Sequence, residues 1–287
     1  MLHWGERVVE AVSQFGPLVL GVDPLPEQVP VALRHGSRHF VENLSEVLLS
    51  AARGKIGFVK FQSAYFEQFG SQGIAGLAAA ISMAREWGFA IILDAKRGDI
   101  GSTAEAYAKA YLTPRANGGS ELEVDCMTVN PFLGPETVEP FVECGRQFGK
   151  GIFVLVKTSN SGSTWLQDRL IGDQTVSNMI ADEVAGWARQ TLASNGVAAV
   201  GAVIGATFPD QAEQLRKRMP NSVFLMPGVG AQGAQVDSLA SATLNTAPVL
   251  VPVSRGIAAV DEPNMPIEKY RDLVAARIAS LAESLRQ

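Results

Sequence analysis

Eight short apolar runs, each followed by a stretch with helical periodicity, constrain this chain more than any other feature. The runs cover residues 18–23, 58–62, 90–96, 123–130, 151–157, 198–207, 222–227 and 249–254. Between and after them, residues 38–52, 73–87, 103–111, 135–148, 175–194, 210–218, 234–242 and 267–285 read as helices. In the last of these, Leu273, Val274, Ile278, Leu281 and Leu285 recur at helical spacing. Strands that are apolar almost throughout are buried on both faces, which calls for parallel pairing under a cover of helices. Eight such units in 287 residues predict an α/β fold of the (β/α)8 TIM-barrel type, with residues 1–287 as a single domain. An open, doubly wound sheet is the alternative. Its usual glycine fingerprint is missing after the first run, which ends Gly21-Val22-Asp23-Pro24.

Composition narrows the function classes. Hydrophobic residues make up 47% of the chain, enough for a large core, and the net charge of -5 argues against nucleic acid as the main partner. No run is long and apolar enough to span a membrane, and residues 1–10 lack the apolar centre of a signal peptide, so a cytoplasmic protein is expected. Cys126 and Cys144 read as buried thiols rather than a disulfide framework. His3, His35 and His39 all lie near the N-terminus; His35 and His39 fall one helical turn apart, but no Cys, Asp or Glu cluster accompanies them, and no metal site is expected there.

In a barrel of this kind the chemistry sits at the C-terminal ends of the strands. Asp23 ends the first run, Lys60 interrupts the second, and Asp94 and Lys96 end the third, with Asp99 just beyond. Asp94 and Lys96 are two apart, so strand alternation points them to one side. Burying such charges is costly unless they are paired. A structural ion pair would account for Asp94 and Lys96 alone. With Lys60 and Asp23 added, the pattern predicts a preorganised electrostatic site. At the other end of the chain, glycine-rich residues 227–233 and the segment Ser254-Arg255-Gly256 offer backbone N–H groups and a guanidinium, which suit a phosphate. Polar residues 159–173 form a candidate lid.

Together these segments resemble the orotidine 5'-monophosphate decarboxylase family over nearly the whole chain. The resemblance rests on Gly21-Val22-Asp23-Pro24, Val59-Lys60, the run Leu93-Asp94-Ala95-Lys96-Arg97-Gly98-Asp99-Ile100 followed by Thr103, residues 227–233, and Ser254-Arg255-Gly256. Thr128-Val129-Asn130-Pro131 and the chain length look like the longer bacterial, type 2 branch.

The resemblance implies release of CO2 from orotidine 5'-monophosphate to give uridine 5'-monophosphate in pyrimidine biosynthesis, with no metal or organic cofactor. It implies that Lys60, Asp94 and Lys96 form a charged array and that Lys96 protonates C6. Asp99 and Thr103 would be contributed across a homodimer interface. Asp23 would bind the ribose, Ser159 the pyrimidine ring, and Gln232, Arg255 and Ser254 the phosphate. Two other readings share parts of the pattern. A sugar-phosphate decarboxylase or aldolase using Mg2+ carries a similar Asp-x-Lys-x-x-Asp segment, and Lys60 argues against it. A non-catalytic nucleotide-phosphate binding protein would have no use for the lysine–aspartate array.

Overall fold

The strands form where the chain supplies a short apolar run, and most stop where a glycine or polar residue interrupts it. In the computed structural model the barrel strands are β1 (Leu18–Val22), β2 (Phe58–Gln62), β3 (Ala90–Arg97), β4 (Cys126–Val129), β5 (Gly151–Lys157), β8 (Val200–Ile204), β9 (Phe224–Leu225) and β10 (Val249–Val253). Their order, β1-β10-β9-β8-β5-β4-β3-β2, closes on itself. This is the (β/α)8 barrel that the sequence predicts. A two-stranded hairpin, β6 (Leu170–Ile171) and β7 (Gln174–Thr175), stands apart from it. The helices are α1 (Trp4–Phe15), α2 (Ser37–Ala52), α3 (Ser63–Glu67), α4 (Gly70–Glu86), α5 (Gly101–Tyr111), α6 (Glu139–Phe148), α7 (Val176–Gln190), α8 (Pro209–Arg218), α9 (Arg255–Ala258) and α10 (Ile267–Ser284).

The structure describes residues 2–228 and 247–286. The helix expected at 234–242 lies outside them. No described helix is long and apolar enough to cross a membrane. The chain divides into two compact units, one of Met1–Glu10 and Lys96–Val251, the other of Ala11–Ala95 and Pro252–Gln287.

In the second unit β1, β2 and β3 pair in parallel, with Gly21 level with Lys60, and Gln62 level with Asp94. Helix α2 packs on α4 and α10, with Phe40 edge-on to Phe69 at 5.8 Å between ring centres. Helix α10 grips the short helix α9 by its last carbonyls. The Tyr270 hydroxyl donates to Ala258 O at 2.8 Å, and Arg277 Nη1 donates to Ile257 O and Ala259 O at 3.0 and 2.6 Å.

In the first unit β4, β5, β8, β9 and β10 pair in parallel. Thr175 caps α7, its Oγ1 accepting from the Asn178 N–H, so the helix begins one residue later than expected. It also ends earlier, at Gln190, because the chain turns at Gly196 to pair Leu192 with Ala198.

Buried charge anchors the N-terminal side of this unit. The Lys150 ammonium, 2% exposed, is 2.7 Å from Glu123 Oε1 and donates to Val124 O at 2.8 Å. Asp125 lies 3.9 Å away and in turn holds Arg7 at 3.1 Å. Truncating Lys150 would leave a buried carboxylate uncompensated. Lys150→Ala is expected to cost about 3–5 kcal/mol in urea unfolding, and a loss below about 1 kcal/mol would show that the network is not what holds this end.

Candidate active site

The second unit contains a buried ion pair at the end of its apolar strands. Lys60 and Asp94 are 6% and 9% exposed, and Lys60 Nζ lies 3.3 Å from Asp94 Oδ2 and 3.3 Å from Gln62 Oε1. Burial pulls the pKa of the ammonium down, but the carboxylates of Asp94 and Asp23 outweigh it, so the net shift is upward from 10.5. Lys60 is therefore charged at neutral pH. Asp23 follows β1 and contributes to this field. Its Oδ1 is buried and has no hydrogen-bond partner among the described residues, which leaves an acceptor suited to a hydroxyl donor.

Ser254 and Arg255 stand at the start of α9, with Arg255 exposed. Ser254 packs against Gly21 so closely that a Cβ there would lie 1.9 Å from Ser254 Oγ. Glycine at 21 is thus a requirement of the packing, since any side chain would displace the residue next to Arg255.

In the first unit, Lys96 departs from regular strand geometry. Its φ is +49°, in the left-handed region that non-glycine residues rarely occupy. Strand alternation alone predicts that Lys96 repeats the environment of Asp94; instead Asp94 is buried and Lys96 is exposed. The Lys96 N–H donates to Thr128 Oγ1 at 2.9 Å, from a threonine that is fully buried in β4. One step on, the Asn130 N–H donates to Arg97 O at 2.8 Å. Gly98 sits so close to this strand that a Cβ would meet Asn130 O at 2.5 Å. Asp99 then accepts the Ile100 N–H at 2.8 Å, and Thr103 lies exposed in the first turn of α5.

Ser159 follows β5. A Cβ on Gly205 would come within 2.6 Å of its Cα, and its carbonyl accepts from Thr207 Oγ1 at 3.2 Å. Gln232 lies outside the described residues, as does most of the glycine-rich segment 227–233. Among the described residues, no group of three or more His, Cys, Asp or Glu is arranged to hold a metal ion.

The structure thus gathers Asp23, Lys60 and Asp94 in one unit, and sets Ser254 beside Gly21. The sequence pattern does not assign Gln62 its place beside Lys60, or Thr128 its bond to the Lys96 N–H. The signal for Thr128 was present, a lone hydroxyl within the apolar strand Cys126–Val129.

A family model described as "Orotidine 5'-phosphate decarboxylase / HUMPS family" matches residues 16–270. The chain belongs to that family. A relative in Rhodopirellula baltica named orotidine 5'-phosphate decarboxylase is 37% identical, and the match covers 100% of both chains. One of the same name in Deinococcus radiodurans is 43% identical over 78% of this chain and 77% of the relative. The solved structure of Leishmania donovani OMP decarboxylase superposes with a TM-score of 0.76 at 29% identity, covering 99% of each chain.

The left-handed backbone at Lys96 costs about 1–2 kcal/mol in any residue with a Cβ. Lys96→Gly is therefore expected to be more stable than Lys96→Ala by about 1 kcal/mol. Equal melting midpoints for the two variants would show that β3 does not enforce this conformation.

Proposed function

We propose that this chain is a carboxy-lyase that converts orotidine 5'-monophosphate to uridine 5'-monophosphate and CO2, a step of pyrimidine (UMP) biosynthesis. The observation that carries the reading is the buried Lys60–Asp94 pair at 3.3 Å. A sugar-phosphate enzyme of the same family needs its strand-end carboxylates for Mg2+. Here the Lys60 ammonium lies against Asp94, and a fixed positive charge at that place disfavours a divalent cation.

The chemistry assigns the roles. When the C6–carboxylate bond breaks, its electron pair stays on C6, with no adjacent π system to take it up. The reaction therefore needs a fixed positive charge beside C6, and then a proton. Lys96 supplies both, and its amine regains a proton from solvent afterwards. Asp94 and Asp99 aim the Lys96 ammonium. Lys60 holds Asp94 in place through their ion pair. Asp23, with its buried and unpartnered Oδ1, accepts a ribose hydroxyl. Ser159 contacts the pyrimidine ring. Arg255 and Ser254 take the phosphate together with Gln232, and the energy of that remote contact assists the chemical step.

Three further assignments belong to the same proposal. The two units form one domain, as a family match running from residue 16 to residue 270 supports. The protein acts as a homodimer in which Asp99 and Thr103 serve the partner's site. The exposed Ile100 and Thr103 beside them fit such a surface. The reaction takes place in the cytoplasm, where free thiols such as Cys126 and Cys144 persist.

An absorbance assay for consumption of orotidine 5'-monophosphate tests the reading. Turnover is expected, and is expected to survive EDTA. Loss on chelation would favour the Mg2+ enzyme. Lys96→Ala should remain folded and lose at least about 100-fold in kcat, the lower end for a proton-transfer group; substantial residual activity would sink the assignment.

The division of labour between subunits has its own test. Mixing an inactive Asp99→Ala variant with an inactive Lys96→Ala variant should restore activity through hybrid dimers with one intact site. No recovery, despite demonstrated subunit exchange, would count against sharing.

A further inference from the structure

A buried charge at the end of β5 has no part in the chemistry above. Lys157, the last residue of that strand, is fully buried. Its Nζ lies 2.7 Å from Asp168 Oδ1 and 4.3 Å from the centre of the Phe208 ring. Gln211 Nε2 of α8 donates to the same Asp168 Oδ1 at 3.2 Å. The adjacent residues make a second tie. Gln167 Oε1 accepts the Thr158 N–H at 2.8 Å, and Gln167 Nε2 donates to Thr158 Oγ1 at 2.9 Å. Two consecutive residues at the strand end thus hold two consecutive residues of the returning loop, and the loop between them is closed at its neck.

Ser159 is the first residue beyond that neck. On its other side the Gly205 N–H donates to Lys157 O at 2.7 Å, Thr207 holds the Ser159 carbonyl, and Gly205 packs against Ser159 Cα. The serine's backbone is therefore held by the neck and by the turn after β8, while its Oγ takes no part in these bonds. An apolar side chain would fill the end of β5 at less cost than a buried ammonium, and ion pairs of this kind are weak contributors to stability. What the pair does supply is a fixed position for the loop.

We propose that Lys157, Asp168 and Gln167 are positioning residues for Ser159, setting its hydroxyl against the pyrimidine ring without touching substrate. This rests on the reading of Ser159 as a ring contact in orotidine 5'-monophosphate decarboxylation. A residue displaced by about 1 Å at a site of this kind can cost up to about 100-fold in rate, so loosening the neck should be felt in catalysis before it is felt in folding.

The test is a double-mutant cycle on kcat/KM for orotidine 5'-monophosphate. Asp168→Asn is expected to lower kcat/KM about 10-fold, and Asp168→Glu to recover part of the loss. In a Ser159→Ala background, Asp168→Asn should change kcat/KM by less than about twofold, because there is no hydroxyl left to position. The pair Lys157→Met with Asp168→Leu removes both charges together, keeps a folded core, and should show the same dependence on Ser159. Equal losses with and without Ser159 would overturn the proposal, as would wild-type kcat/KM in Ser159→Ala. A wild-type protein inactive towards this nucleotide would overturn both the proposal and the reading beneath it.

Discussion

An ammonium cannot sit in an apolar strand without a carboxylate to meet it, and the pairing of Lys60 with Asp94 is the constraint on which the arrangement of this chain's charged strand ends depends. Lys60 is level with Ile92 in the strand register, and Asp94 is level with Gln62. The lysine therefore reaches forward, towards the ends of the strands, to find its partner. A slip of β3 by one residue would turn its side chains to the opposite face and leave the ammonium stranded. Register, burial and charge here specify one another.

The second half of the motif departs from its strand. β3 begins as a buried run, but at Lys96 its backbone turns left-handed, and at Gly98 it presses against Asn130. Strain of this sort persists only where the surroundings over-determine it. Here the Lys96 N–H is tied to Thr128 and the Arg97 carbonyl to Asn130. β4 thus sets the path on which Lys96 and Asp99 are presented. Thr128 has a local role: its buried hydroxyl accepts the Lys96 N–H where the strand leaves regular geometry.

The barrel was legible because its signal is repetitive. The runs at 58–62 and 151–157 coincide with β2 and β5, since both are mostly apolar and bounded by breaks in pattern. The longer run at 198–207 shrinks to Val200–Ile204, because Gly205 and its neighbours turn towards Ser159 rather than extend the ladder. Helix α1 went unread, although Trp4, Val8 and Phe15 carry its spacing. The hairpin β6–β7 also has a signal, Gly172-Asp173, the two-residue type of turn that hairpins favour. In the site, Asp94 and Lys60 could be placed in one charged array from sequence because both interrupt apolar strands, but their direct pairing could not be told from that of Asp94 with Lys96. Nor could the partner of Lys157: Asp168 stands eleven residues away in a polar loop, where nothing distinguishes it from Asp173. Loop geometry is set by tertiary bonds, and periodicity carries no record of them.

Helix α1 has a consequence for how the chain is made. Its Trp4 ring occupies the space that a side chain at Gly151 would fill, and stands edge-on to Phe153 at 6.1 Å between ring centres. Gly5 is received farther on, its carbonyl accepting from Asn195 Nδ2 at 3.1 Å. Trp4 therefore leaves the ribosome before the residues that shelter it. At about 5–20 residues per second, roughly 7–30 s pass before Gly151 follows Trp4. Throughout that interval the nascent chain carries a tryptophan without its packing partners, and its ring can be buried only when β5 has been synthesised.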